Sequence, residues 1–272
     1  MRLWLASIGA ALLALSVISG AHAADRIATV EVRGTAFVVT MTSGAVIAGP
    51  ALAGATLSVA LPGREGLTRV RLDRIVADPA DPEILLHDIS VLDPKTGAPV
   101  PLCEAASDGT RWAFPLKGQW TGEGEPRGAA GFTLACAAGG ALGKCVRWGY
   151  KPWAIRADGA SLAAYHQACV RMVRADYCGG MGTTSDGMTI DFYDRLGINR
   201  PAAADSALPF EAAWTDKGAL CVAHIRVPEH ISLAQLAEGC PRLKDRLGIS
   251  ACNEDQAKGD RYGVALLFNR SH

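Results

Sequence analysis

The sequence predicts an α+β fold, in which a β-rich N-terminal half, a small barrel or sandwich, packs on a disulfide-stapled C-terminal half with one main helix. Three observations support this prediction. Short alternating, β-branched segments fill residues 27–102, one long amphipathic segment covers residues 161–177, and all eight cysteines follow residue 102. Alternation with period two is typical of half-buried strands, whereas apolar residues three and four apart are typical of a helix.

The first 23 residues have the pattern of an export signal. Arg2 supplies a short basic region, an apolar stretch follows, and Ala21, His22 and Ala23 fit the small-x-small rule for cleavage. We therefore expect a mature chain that begins near Ala24 and is secreted or periplasmic. The cleavage site carries no cysteine for a lipid anchor, and no later apolar run reaches the length of about 18 residues that predicts a membrane span.

The charge balance excludes one class of partner. The chain has 27 Lys and Arg and 27 Asp and Glu, and the predicted signal contains one Arg and no acid, so the mature net charge is about −1. Nucleic acid is not expected as a partner, because phosphate binding needs an excess of Lys and Arg. We expect a monomer that binds an unknown extracytoplasmic ligand.

Residues 24–129 are predicted to form the β-rich N-terminal region. The segment LTRVRLDRIV alternates Thr68, Val70 and Leu72 with charged residues, and Gly and Pro clusters such as LPGREG and DPKTGAP separate the strands. From 103 to 130 the chain is rich in Gly, Pro and charge, which indicates an ordered long loop or a frayed edge.

Residues 130–272 are predicted to form the stapled half. The main helix is SLAAYHQACVRMVRADY, with Ser161 as a plausible N-cap. The segments DGMTIDFYD, ALCVAHIRV and RYGVALLFN read as strands, and SLAQLAEGCPRLKDRL is a second helical tract interrupted by Pro241. The segments GFTLAC and KCVRWGY flank a Gly-rich stretch, a pattern that predicts a β-hairpin.

The even number of cysteines predicts four disulfides, because exported proteins fold in oxidising compartments. The predicted hairpin would pair Cys136 with Cys145, and the end of the last helix would pair Cys240 with Cys252. The residues concerned are Cys103, Cys136, Cys145, Cys169, Cys178, Cys221, Cys240 and Cys252.

The helix geometry bears on the remaining four cysteines. If the helix is unbroken over residues 162–177, Cys169 and Cys178 are separated by about 13.5 Å of rise, which is too far for a disulfide. Cys178 is then expected to bond Cys103 or Cys221, and one of the two glycines after it is expected to be left-handed.

Several motifs together resemble the bacterial ADYC domain family, whose name is the tetrapeptide found here at residues 175–178. The resemblance covers most of residues 130–272 and implies an exported protein of uncharacterised function. It departs from the family in the loop GGMGTTSDG, where relatives carry an acidic residue after the first glycine and a His-Thr pair before the DG. An activity that needs those groups is therefore not implied. The motifs that carry the resemblance are KCVRWGYKPW, HQACVRMVRADYCGG, DGMTIDFYD, FEAAW and LLFNRS.

His166, Asp176 and Asp191 are the candidate catalytic residues if the protein is an enzyme. His166 and Asp176 are ten positions apart on one helix, about 15 Å along its axis, so each needs a partner from elsewhere. The alternative is structural: a half-buried histidine bonded to a carbonyl or carboxylate, and an aspartate that pairs with an arginine near the helix end.

Further carboxylates lie on the predicted strand after the helix. Asp186, Asp191 and Asp194, with Asp176, could supply an acid and base pair of the glycosidase type or bind calcium. The structural alternative pairs them with arginines at turns, as Asp194 with a neighbouring arginine.

Five tryptophans remain after the predicted signal, and such rings either fill a core or stack on sugars. The common catalytic and cofactor signatures are missing from the sequence, so no cofactor or metal is expected. We expect an extracytoplasmic binding or structural module; the alternative is a carboxylate-dependent hydrolase that acts on an extracytoplasmic substrate such as a glycan. The five tryptophans are Trp112, Trp120, Trp148, Trp153 and Trp214.

Overall fold

A computed structural model describes residues 25–60, 65–202 and 208–272 of the chain. The predicted export signal and Ala24 lie outside these residues. Within them, the N-terminal half is almost entirely β-structure, and the C-terminal half combines short helices with a four-stranded sheet. The predicted α+β fold is therefore confirmed. No helix in the described part of the chain is long and apolar enough to cross a membrane.

The N-terminal half consists of two antiparallel sheets. Its strands are β1 (Ile27–Arg33), β2 (Ala36–Met41), β3 (Val46–Ala48), β4 (Thr56–Val59), β5 (Thr68–Asp78), β6 (Asp81–Leu92), β7 (Pro99–Pro101), β8 (Trp112–Trp120) and β9 (Pro126–Cys136). One sheet has the order β1-β2-β3; the other has the order β4-β5-β6-β8-β9, with β7 paired to β6. Phe37 of the first sheet and Leu72 and Ile89 of the second share one apolar cluster. The two sheets thus face each other across a core, as in a sandwich.

Strand β5 follows the predicted alternation. Val70 and Leu72 are buried, and the arginines beside them lie on the other face. A register shift after Leu72 makes Ile75 the next buried residue. The shift is a β-bulge, which explains why strict alternation ends there.

The prediction of a loop or frayed edge over residues 103–130 is wrong for much of that segment, which contains β8 and the start of β9. Phe114 and Leu116 are buried and hold β8 in the sheet. Pro115 has no backbone N–H, and the sheet accommodates it because β8 pairs with β6 at Trp112 and Ala113 alone. Among the described residues, the later part of β8 pairs with β9 on one side.

The C-terminal half is built on an antiparallel sheet of order β10-β13-β11-β12. Helix α2 packs on one face, where Met172 and Trp214 belong to one apolar cluster, and helix α4 packs on the other face, where Ala257 and Phe268 belong to another. The elements are α1 (Ala141–Arg147), α2 (Ala163–Arg174), β10 (Ile190–Asp194), β11 (Phe210–Thr215), β12 (Gly218–Val222), α3 (Leu233–Gly239), α4 (Glu254–Lys258) and β13 (Leu267–Ser271).

The predicted hairpin around Cys136 and Cys145 is wrong, because KCVRWGY belongs largely to helix α1 instead of a strand. Gly143 lets this helix approach the end of β9: a Cβ at that position would lie 2.1 Å from the Cys136 carbonyl oxygen. Val146 of α1 packs on the six-stranded sheet, while Cys145 faces α2. Helix α1 therefore joins the two halves of the molecule.

The main helix is shorter than predicted: it ends at Arg174 and not at Tyr177. Its N-cap position is Leu162, which makes no side-chain cap, and Ser161 Oγ accepts a hydrogen bond from the Ala163 N–H at 3.2 Å. The second helical tract is interrupted at Pro241 as expected, since helix α3 ends at Gly239. Helix α3 begins with a capping box formed by Ser232 and Gln235.

All eight cysteines form disulfides, which confirms the prediction of four bonds, but the predicted pairs are wrong. Without a hairpin, Cys136 does not face Cys145. Cys240 follows α3 and belongs to the apolar cluster on the α2 face of the sheet, whereas Cys252 precedes α4 and belongs to the cluster on the α4 face. As expected, Cys169 and Cys178 do not bond each other, but the expectation that Cys178 bonds Cys103 or Cys221 is wrong, because its partner is Cys240. The observed pairs are Cys103–Cys136, Cys145–Cys169, Cys178–Cys240 and Cys221–Cys252.

Candidate functional site

The ADYC tetrapeptide forms the turn that ends helix α2. Ala175 is fully buried and left-handed, with φ of 49°, and reverses the chain after Arg174. The Asp176 carboxylate then accepts hydrogen bonds from the backbone N–H groups of Gly179 at 2.8 Å and Gly180 at 2.9 Å. Both glycines have positive φ, 88° and 141°, as the sequence predicted for at least one of them.

The charge of Asp176 is neutralised inside the protein. Its side chain is 1% exposed, and Arg171 Nη1 donates to Asp176 Oδ2 at 2.5 Å. Arg171 Nη2 also donates to Glu125 Oε2 at 2.7 Å, in the turn between β8 and β9. Asp176 therefore makes the local ion pair of the structural alternative, and the same arginine ties α2 to the N-terminal half.

Tyr177 enters a buried polar network that unites three of the motifs. Its hydroxyl donates to Glu211 Oε1 at 3.0 Å and accepts the Arg226 N–H at 3.0 Å. Arg226 binds Glu211 through Nε and Nη2, both at 3.0 Å, and Asn269 Nδ2 donates to Glu211 Oε2 at 2.6 Å. Burial, and then the adjacent Glu211 carboxylate, raise the pKa of Tyr177. The phenol stays protonated as a hydrogen-bond donor.

The same network closes the C-terminal end of helix α2. Arg226 Nη2 donates to the Met172 carbonyl at 2.8 Å, and Nη1 donates to the Val173 carbonyl at 3.1 Å. These carbonyls belong to the last helical turn, where intrahelical partners run out, and the Met172 carbonyl also accepts the Ala175 N–H. Glu211 and Arg226 were not identified from the sequence, although FEAAW was singled out as a motif.

His166 lies in the middle of α2 and is fully buried. Its Nε2 is 3.3 Å from the Leu142 carbonyl oxygen, and the edge of the ring faces Trp120 at a centroid distance of 5.3 Å. Burial lowers the pKa of His166 to about 4, so the imidazole is neutral at pH 7. Its Nδ1 has no partner among the described residues.

Asp191 lies on β10 and is paired as well. Its carboxylate is 3.3 Å from Arg270 Nη1 and accepts the Ala202 N–H at 3.0 Å. Arg270 binds Glu254 with Nη2 at 3.0 Å, and Tyr193 donates to the same carboxylate at 2.6 Å. Asp191 thus belongs to a partly buried charge network at the edge of the sheet.

The other carboxylates of this strand segment also differ in environment. Asp194 accepts the Tyr150 hydroxyl at 2.8 Å and the N–H groups of Leu196 and Asn199, both at 2.7 Å, so it holds a turn and does not pair with a neighbouring arginine. Asp186 is exposed.

The three candidate catalytic residues do not share a site. His166, Asp176 and Asp191 each have a different set of hydrogen-bond partners, and no described residue hydrogen-bonds to two of them. Their catalytic role stays a prediction, and the contacts offer no common position at which a substrate would meet them.

The tryptophans divide between core and surface. Trp214 is fully buried and donates to Asn269 Oδ1 at 2.7 Å, and Trp148 packs on Phe192. Trp153 is 37% exposed. Trp112 is different, because it lines a cleft.

This Trp112 cleft has a volume of about 390 Å³ and lies where the six-stranded sheet meets helix α1. Asp78 and the turn after it form one wall, and the loop containing Asp108 and Thr110 forms another. Arg147, the last residue of α1, completes the lining of the cleft. Arg74 lies over the Trp112 ring, with its guanidinium carbon 4.5 Å from the centroid, and helps to fix the ring.

Arg147 is the best-prepared donor in the Trp112 cleft. Its Nε donates to Asp78 Oδ2 at 2.7 Å, and Asp78 is 2% exposed in its side chain and accepts the Ala80 N–H through its other oxygen at 3.0 Å. The two Nη groups of Arg147 meet no acceptor among the described residues. The Nε side of the guanidinium is thus bound to Asp78, and the two Nη groups are available to donate to a ligand.

Asp108 supplies an acceptor to the same cleft. Its Oδ1 accepts the Thr110 hydroxyl at 2.7 Å and the Thr110 N–H at 2.9 Å, while Oδ2 has no hydrogen-bond partner in the described part of the chain. The bonds from Thr110, side chain first and then backbone, lower the pKa of Asp108. The carboxylate is therefore ionised at neutral pH.

The sequence did not identify this site. Asp78 and Arg147 are 69 positions apart, and each by itself is an ordinary turn aspartate or helix-end arginine. The sequence signals at this site are the turn sequence ADPADPE and the isolated Trp112. Neither of them predicts that the two segments lie close together.

Another cleft, of about 400 Å³, lies between the edge strands β1 and β9. It is lined mainly by the strands themselves, with Lys117, Glu31 and Arg33 as its charged residues. Glu31 and Arg33 pair with each other at 3.2 Å. This cleft therefore offers fewer free polar groups than the Trp112 cleft.

The ADYC domain family matches residues 49–228. The match spans the predicted boundary at residue 130, which stays a prediction, and it includes the tetrapeptide together with Asp78, Trp112 and Arg147. The chain belongs to the ADYC domain family. No curated protein and no solved structure matches the chain.

Proposed function

We propose that the protein is an extracytoplasmic binding module that takes a small polar ligand in the Trp112 cleft. The observation that carries this proposal is the state of Arg147, whose Nε is fixed on the buried Asp78 while both Nη groups lack an acceptor among the described residues. A donor that is already positioned loses little freedom when a ligand binds.

The rest of the molecule supports a scaffold role. Four disulfides are typical of proteins in oxidising compartments, and they hold the helices and loops of both halves in place. The motif residues Asp176 and Tyr177 are used in internal contacts, so the motif supports the fold and leaves binding to other surfaces. A hydrolase is not favoured, because His166, Asp176 and Asp191 have no common site.

The proposal is tested by a thermal-shift screen of the oxidised mature protein against small polar compounds of several classes. A ligand at one hundred times its Kd stabilises the folded state by about 2.7 kcal/mol, which is a measurable shift. Arg147→Lys keeps a cation beside Asp78 but loses the guanidinium fork.

The matched control is Arg156→Lys. Arg156 also pairs with an aspartate, Asp158, and its side chain is 35% exposed, against 36% for Arg147. We expect at least one compound whose shift is reduced by Arg147→Lys and kept by Arg156→Lys. If no compound of any class behaves in this way, the Trp112 cleft is not a binding site and the proposal fails.

A further inference from the structure

We infer that the ligand of the Trp112 cleft is an uncharged sugar residue, an inference that rests on the binding function proposed above. The cleft combines one flat aromatic ring with a hydrogen-bond donor and a hydrogen-bond acceptor. The aromatic ring matches the C–H face of a pyranose, and the donor and acceptor match its hydroxyls.

The hydrogen-bonding groups favour hydroxyls over other polar groups. Arg147 Nη1 and Nη2 can only donate, and Asp108 Oδ2 can only accept when ionised. A ligand group that satisfies both must donate and accept. Neighbouring sugar hydroxyls do so, and the two Nη groups of the planar Arg147 guanidinium can contact two of them at once.

The apolar part of the cleft favours a ring with C–H groups. Trp112 is half-buried and belongs to the apolar cluster that includes Leu86, which also lines the cleft. A pyranose presents C–H groups on one face and hydroxyls at its edge, so it can cover the indole while its hydroxyls reach Arg147 and Asp108. Trp112 is the single aromatic residue lining the cleft, so no aromatic cage for a quaternary ammonium ligand is present among the described residues.

The charges favour a neutral ligand. The ionisable residues that line the cleft are Asp78, Asp108 and Arg147, with a formal sum of −1, and Arg74 over the Trp112 ring brings the local sum to zero. The positive charge of Arg147 is already shared with the buried Asp78. A carboxylate or phosphate would bring a further negative charge beside Asp108, which costs free energy. The volume of about 390 Å³ lies near the lower end of the range for small-ligand sites, about 300–1,000 Å³.

The test is calorimetric titration of the oxidised mature protein with defined sugars. Chitotriose, cellotriose and maltotriose are the neutral probes, and trigalacturonate is the acidic probe. The corresponding monosaccharides distinguish a free sugar from a residue within a glycan chain: a glycan site binds a trisaccharide more tightly than its monosaccharide.

The variants are chosen so that the fold survives. Asp108→Asn alters an exposed residue, and its matched control is Asp158→Asn, an exposed aspartate that likewise accepts the N–H two positions later, at 3.1 Å. Arg147→Lys and Arg156→Lys form the second pair. Loss of a hydrogen bond to a charged group should weaken binding of a neutral probe by about tenfold or more in Asp108→Asn and Arg147→Lys, and the controls should stay within about twofold of wild type.

Three results would overturn the inference: no neutral probe binds, the acidic probe binds more tightly than all neutral probes, or the cleft variants bind like their controls. The proposed function can survive such a failure. A compound that is not a sugar but still depends on Arg147 would refute the sugar ligand and retain the binding module, whereas the absence of any Arg147-dependent ligand would refute both.

Discussion

Asp176→Asn should strongly destabilise the protein, because one carboxylate serves several buried groups. Asp176 accepts two glycine N–H groups and the Arg171 guanidinium at distances of 2.5 to 2.9 Å, with 1% of its side chain exposed. Asparagine keeps one acceptor oxygen, turns an NH2 group toward these donors and leaves the buried Arg171 with Glu125 as its remaining carboxylate partner. Breaking a buried ion pair from one side costs about 3–5 kcal/mol.

The measurement is thermal unfolding with the disulfides intact. For a protein of this size, 1 kcal/mol corresponds to about 2–4 °C, so the midpoint should fall by about 10 °C. Asp158→Asn is the control and should leave the midpoint unchanged, because Asp158 is exposed and binds a turn N–H and one surface arginine. Equal midpoints for the two variants would refute the structural role of Asp176.

Three further predictions concern the same region. Cys178 is exposed, so limited reductant should open Cys178–Cys240 before the other disulfides, as alkylation and mass spectrometry would show; earlier labelling of another pair would contradict this. Burial lowers the pKa of His166 from 6.5 to about 4. The stability that the neutral imidazole contributes is therefore complete above pH 6.5 and declines by about 3 kcal/mol as the pH falls to 4. NMR should show no His166 protonation above about pH 5. Gly179→Ala should lower the unfolding midpoint more than Gly180→Ala, since a Cβ on Gly179 would lie 2.7 Å from a backbone oxygen of the β11–β12 turn and one on Gly180 would meet no described atom within 4 Å; equal midpoints would argue against this close approach.

Elements with a strong local pattern could be predicted from the sequence. The amphipathic segment around His166 predicted helix α2, and alternation predicted β5, because each pattern reflects the face that the element itself buries. The end of α2 was placed three residues too late. Position 175 is an alanine and not the glycine that usually marks a left-handed helix end, and its carbonyl accepts the hydroxyl of the more distant Thr183 at 2.8 Å.

Features that depend on distant residues could not be predicted in this way. The oxidising compartment predicts four disulfides, but the pairing depends on how α1 and α3 pack. Helix α1 is not predictable from its sequence, because seven residues that follow a pair of glycines show little helical period. The ion pair of Asp78 with Arg147, and that of Glu211 with Arg226, join segments whose proximity follows from the sheets. The predicted catalytic residues were chosen by residue type, and burial gave them internal partners.

A structural role for the ADYC motif and a binding role for the Trp112 cleft are tested most directly by comparing the ligand affinities of one variant at each place. The neutral trisaccharide that binds wild type most tightly is titrated into Asp176→Asn and Arg147→Lys at a temperature at which both variants are folded. The account predicts that Asp176→Asn, although less stable, keeps the wild-type Kd within about twofold, and that Arg147→Lys raises the Kd by about tenfold or more. The reverse order, with binding lost in folded Asp176→Asn and kept in Arg147→Lys, would place the functional site at the ADYC turn and contradict the account.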